Sequence, residues 1–227
     1  MVIKRSKKLI KFIPKIHHTD ELCLLVVSEF PEGIEFIESD LEDVYVIAVT
    51  QNGLLIRFCK NKTFDLCMAA AENNGFALQH IDDQHDDVVK TALKQNVKAF
   101  KFVKNKTFEI AKNAIQKDPE LITFYVDPFI ESIDEQMEEI ICIALKGRGT
   151  FLRHIPPKLI TMKMCEYALE NDLEALNYVP SELQTDELVI PHLEKNGFII
   201  RFIKNQTEKM CYTAIKNRPK SLQYIRN

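Results

Sequence analysis

The chain has 227 residues, 46% of them hydrophobic and 28% charged, with a net charge of −3 and a sequence pI near 6.1. That composition suits a folded globular protein and excludes disorder as a whole-chain description. The acidic balance argues against a dedicated nucleic-acid or anionic-membrane binder, and six glycines with no tryptophan argue against a β-propeller or a Gly-rich barrel.

Residues 1–18 (MVIKRSKKLIKFIPKIHH) are basic but lack the apolar run of a signal peptide. No later stretch approaches the ~18 consecutive apolar residues of a membrane span. The expectation is a chain of the cytoplasm with reduced cysteines. Residues 1–18 read as a partial N-terminal capping unit, with Lys8–Pro14 as its orphan second helix.

From Thr19 onward the chain repeats. Small anchors recur at Val26, Ala48, Ala70, Ala92, Ala114, Ala144, Ala168, His192 and Ala214, spaced 22, 22, 22, 22, 30, 24, 24 and 22. Seven residues before the anchor Thr recurs, as in Thr19, Thr63, Thr107, Thr161, Thr185 and Thr207, a natural helix N-cap. Apolar residues at −4, −3, 0 and +1 make one helical stripe. Asn-Gly (Asn52–Gly53, Asn74–Gly75, Asn196–Gly197) or Pro (Pro31, Pro119, Pro219) then predicts its end. A second helix of about two turns follows, apolar at +7, +8, +10 and +11 and polar at +9. Helices this short are marginal alone, so neighbouring units must stack. The expected fold is an all-α solenoid of about nine 22–24-residue helix-turn-helix repeats: units 1–5 over 19–127, an insertion or seam at 128–136, and units 6–9 over 137–227, in one continuous domain.

AVTQNGLLIRF (48–58), AAENNGFALQHI (70–81) and ALENDLEALNYVPSELQTDELVI (168–190) carry a family likeness. The chain resembles the short α-helical repeat catalogued as domain of unknown function 4116, best populated in giant DNA viruses of the mimivirus group. The resemblance implies an α-solenoid of viral origin and supplies no catalytic residue. The chain departs from the pattern at Gly147 and Gly149, at Pro191, which should kink its helix, and at His192, which replaces the anchor Ala. Repetition explains the other residues, so these four are the candidate binding positions.

Several constellations invite chemistry. An aromatic or imidazole recurs at +10 (Phe36, Phe58, His80, Phe102, Phe124, His154, Tyr178, Phe202, Tyr224), and Arg57, Arg153 and Arg201 stand beside it. It resembles a base-stacking ladder, although packing between units accounts for it as core. The cysteines show no C-x-x-C spacing and read as small core residues. The run HIDDQHDD (80–87) offers His80, Asp82 and His85 as candidate metal ligands, against a reading as loop and helix-start acids. No catalytic motif is present and no cofactor is implied. The expected function is a protein–protein interaction scaffold or adaptor that forms a homodimer through an uncapped solenoid end. The alternative is non-specific RNA or single-stranded nucleic-acid binding by the aromatic column.

Overall fold

The computed structural model describes residues 9–37, 39, 41–126 and 131–226. Among them lie nine α-helices: α1 (Asp20–Glu29), α2 (Glu42–Gln51), α3 (Phe64–Asn73), α4 (Asp86–Gln95), α5 (Phe108–Lys117), α6 (Glu135–Gly147), α7 (Met162–Asn171), α8 (Asp186–Lys195) and α9 (Glu208–Asn217). No strand occurs among the described residues. Of the insertion expected at 128–136, residues 128–130 lie outside them.

Each α-helix is followed by a six-residue helix of the tighter 3₁₀ kind, such as Gly53–Phe58, Gly75–His80, Val97–Phe102 and Gly197–Phe202. The two-turn second helix is therefore not α-helical. Runs of 3₁₀ beyond three or four residues are uncommon. Here the longer rise has a use: six residues cover about 12 Å, closer to the ~15 Å of a ten-residue α-helix than the ~9 Å they would span as α.

The chain forms two compact units, Met1–Lys106 and Thr107–Asn227. In the first, α1 packs on α2, α2 on α3 and α3 on α4, while the 3₁₀ helices Pro31–Phe36, Gly53–Phe58, Gly75–His80 and Val97–Phe102 stack in a second layer. In the second unit α5 packs on α6, α6 on α7 and α8 on α9, with the same layering of 3₁₀ helices after α6. Stacking in sequence order is the pattern of an all-α repeat solenoid.

Repeated polar side chains set the register. Thr19, Thr63, Thr161, Thr185 and Thr207 accept the N–H three residues on at 3.2–3.4 Å, as N-caps. Thr107 holds the same position without that bond. The hydroxyl has a second role, because Thr63 Oγ1 donates to Glu42 at 2.7 Å, Thr161 to Glu138 at 2.8 Å and Thr207 to Asp186 at 2.7 Å. These three caps are thus tied to an acid in the first turn of the preceding α-helix.

The Asn-Gly pair works differently from the expectation. No glycine has positive φ; Asn52, for example, is extended at φ −147°. Its Oδ1 accepts from Leu54 N at 3.2 Å and so caps the 3₁₀ helix, as Asn74, Asn96 and Asn196 do in their units. Glycine is needed because the next unit comes too close. A Cβ on Gly53, Gly75, Gly149 or Gly197 would stand 2.4, 2.4, 2.0 or 2.3 Å from the carbonyl oxygen of Ala70, Ala92, Ala168 or Ala214. The Gly53 N–H donates to Asn73 Oδ1 at 2.8 Å, whose Nδ2 donates back to Thr50 O at 2.8 Å. Gln95 serves Gly75 and Asn217 serves Gly197 in the same way.

A glutamine eight residues before the anchor, which the sequence reading missed, clasps successive 3₁₀ helices. Gln84 Nε2 donates to Leu78 O at 3.0 Å and Phe102 O at 2.9 Å, and its Oε1 accepts from Lys104 N at 2.9 Å. Gln184 and Gln206 repeat the arrangement. Gln136 fills the same slot but lies inside α6, and Lys62, Lys106 or Ile160 fills it in other units, so no column stood out.

Candidate interaction surface

A 3₁₀ helix places residues three apart in line. Positions +5, +8 and +11 form one row, +7 and +10 a second, and +6 and +9 a third. Rows one and two pack inward: Ile56, Leu78 and Phe100 at +8, and Leu55, Ala77 and Ala99 at +7, are buried. Row three faces out, and its residues differ from unit to unit: Leu54/Arg57, Phe76/Gln79, Lys98/Lys101, Thr150/Arg153 and Phe198/Arg201.

The aromatic column falls at the edge of row two, on the flank of the packed face, where its rings pack between successive units. Phe36, Phe58, His80, Phe102, Tyr178, Phe202 and Tyr224 are half-buried, while Phe124 and His154 are exposed. The 3₁₀ turn sets +10 in line with the buried +7, so the rings stay partly covered and pack against neighbouring units. The rings are not bare. Arg57 Cζ lies 4.6 Å from the Phe58 centroid, Arg201 Cζ 4.6 Å from Phe202, and Lys101 Nζ 4.7 Å from Phe102 and 5.2 Å from Phe76. Phe76 meets Phe102 edge-to-face at 5.9 Å, and Phe198 meets Tyr224 likewise at 6.2 Å, joining +6 of one repeat to +10 of the next. Partial burial, with Arg57 and Lys62 nearby, holds the His80 imidazole below its usual pKa.

The candidate metal residues have separate occupations. His80 belongs to the rim column, and Asp82 pairs with Lys104 at 2.9 Å. His85 caps α4 in place of Thr, accepting from Asp87 N at 3.4 Å and meeting Phe64 edge-on at 5.1 Å. Among the described residues no three His, Cys, Asp or Glu gather as a metal-binding group. All six cysteines are free; burial raises Cys59 and Cys142 to about 11 and Cys165 to about 12.

The pattern-breaking positions divide. Gly149 is an ordinary close-approach glycine. Gly147 answers Pro119: a Cβ there would lie 2.4 Å from Pro119 Cγ, and proline offers no N–H for the usual Asn or Gln to accept from. Pro191 does not end its helix, since α8 keeps ten residues and Asn196 N still donates to His192 O at 2.9 Å. Leu173 fills a place that is Gly in four other repeats and His192 one that is Ala in seven, and bulk there opposes close approach. A hollow of about 580 Å³, lined by Met162, Glu166, Glu170, Leu188, Pro191 and His192, opens between α7 and α8. His192 Nδ1 is buried without a partner, and burial lowers its pKa, with Lys195 adding to the effect.

The repeat chemistry and the family comparison meet in one stretch. Residues 63–108 match the family model described as Domain of unknown function (DUF4116). The match starts at the N-cap Thr63, takes in α3 and α4 with their 3₁₀ helices, and ends at the first residue of α5. Comparison with curated proteins and with solved structures finds no match. Among the described residues no helix is long and apolar enough to cross a membrane.

Proposed function

We propose that the chain is an interaction scaffold or adaptor that presents a repeat-built surface to a partner protein, with no catalytic role and no cofactor. One observation carries this reading. The repeated Thr, Asn, Gln and Gly hold unit to unit, while the outward row of the 3₁₀ helices changes from Leu54/Arg57 to Phe76/Gln79 to Lys98/Lys101. A constant framework with a variable outer row is how solenoids build binding surfaces. The proposal places the chain in the cytoplasm, that of the host if its origin is a giant virus. Self-association belongs to the same reading.

The nucleic-acid alternative gains from the half-exposed rings and loses from the cations already lying over them. Recovery of the tagged chain from its own cells under mild conditions, with and without nuclease, separates the two readings. Protein partners that survive nuclease support the scaffold.

A further inference from the structure

The first unit carries Glu32 and Glu35 on the 3₁₀ helix Pro31–Phe36, but cations concentrate further along that layer. Its α-helices α1 to α4 hold nine carboxylates against two lysines. By contrast, the stretches 53–62 and 97–106, each a 3₁₀ helix and its following loop, hold seven cations and no carboxylate. These stretches flank a common neighbour, since the 3₁₀ helix Gly75–His80 packs on both Gly53–Phe58 and Val97–Phe102. Asp82 on the connecting loop neutralises Lys104 at 2.9 Å. Arg57, Lys60, Lys98 and Lys101 are exposed and make no ion pair with a carboxylate among the described residues.

We propose that this ridge takes an extended acidic segment of a partner protein, its carboxylates meeting Arg57, Lys60, Lys98 and Lys101 and its apolar side chains lying against Phe58, Phe76 and Phe102. This deepens the scaffold reading and rests on it. Charge complementarity selects the partner's sign, and the rings supply the apolar component. A nucleic-acid strand would supply the same sign, but it draws its sequence-tolerant affinity from bases stacked on open ring faces. Here Arg57 lies over Phe58 and Lys101 over Phe102, so the ridge offers cationic head groups and ring edges instead.

The test uses the full chain and a fluorescein-labelled fourteen-residue peptide alternating glutamate and leucine, read by anisotropy beside a labelled fourteen-nucleotide oligouridine. The expected result is peptide binding that weakens with added salt and by about tenfold or more in the Arg57→Glu/Lys101→Glu variant. Circular dichroism and the thermal midpoint establish that the variant is folded; should it unfold, Arg57→Gln/Lys101→Gln replaces it with the same expected direction. Absence of peptide binding, binding unchanged in a folded variant, or tighter binding of oligouridine overturns the proposal. Capture from cells with the same variant separates the two levels. Partners retained by the variant sink the ridge and leave the scaffold standing, whereas a wild-type chain that captures no protein sinks the scaffold itself.

Discussion

Gly53 approaches Ala70 so closely that a Cβ placed on it would stand 2.4 Å from the Ala70 carbonyl oxygen. The contact joins the start of one 3₁₀ helix to the anchor of the next repeat. Substitution of Gly53, Gly75, Gly149 or Gly197 by Ala must push backbone from backbone, and a cost of about 1–3 kcal/mol is expected. Gly149→Ala, with only 2.0 Å available, should be the worst of the series in urea denaturation. Gly33→Ala should cost less, because its nearest obstacle is the Val26 side chain rather than a carbonyl.

Pro119 and Gly147 should behave as a coupled pair. Gly147→Asn alone inserts a side chain where Pro119 Cγ would already touch a Cβ, and is expected to destabilise by about 1–3 kcal/mol. Adding Pro119→Gly recreates the Asn73–Gly53 arrangement, with an N–H for the new Asn to accept from. A double-mutant cycle should therefore give a favourable coupling of about 0.5–3 kcal/mol. Additive effects would contradict the compensation.

The glutamine clasp predicts sensitivity to chemistry at constant size. Gln184 is 5% exposed and bonds to Val179 O, Phe202 O and Lys204 N. Gln184→Glu cannot donate to the two carbonyls when ionised, and a loss of about 1–3 kcal/mol at neutral pH is expected from the unsatisfied groups. Chemical denaturation of Gln184→Glu beside Gln184→Ala checks this; equal stability to wild type would remove the clasp from the account.

Period and anchor were legible because small residues at one slot in eight of nine repeats leave little freedom of register. The helix type was not. Over so short a run, 100° and 120° per residue place +7, +8, +10 and +11 on the same side, so the apolar pattern does not distinguish them. Asn-Gly was read correctly as a boundary but for the wrong cause: close approach by Ala70 or Ala92, a contact between repeats, was invisible within one repeat. Gly147 was visible as an exception and became intelligible only beside Pro119, 28 residues earlier. The rim cations over Phe58 and Phe202 were signalled by Arg57 and Arg201, yet their reach over the rings depends on 3₁₀ geometry.

His192 introduces a pH dependence. Its folded pKa lies below the ordinary 6.5, so as pH falls below 6.5 the unfolded chain takes up the proton first. The stability contributed by the neutral imidazole is full above pH 6.5 and is lost as pH drops toward the folded value. His192→Ala, which restores the anchor type of the other repeats, should flatten the change in urea midpoint between pH 7.5 and 5.5. An unchanged slope would show that other groups, such as His80 and His154, carry it.

Thiol reactivity offers an independent check on burial. Cys59, Cys142 and Cys165, with thiols raised to about 11, 11 and 12, should resist a thiol-specific disulfide reagent at pH 8 until the chain unfolds. Cys211, the one cysteine short of full burial, should react first.

The most direct test of the scaffold reading remains capture of the tagged chain from its own cells, split into nuclease-treated and untreated halves and read by mass spectrometry and sequencing. The account predicts a defined protein partner present in equal amount in both halves. Partners that disappear with nuclease, leaving RNA or DNA bound in the untreated half, would contradict it and return the rim aromatics to the role of a stacking ladder.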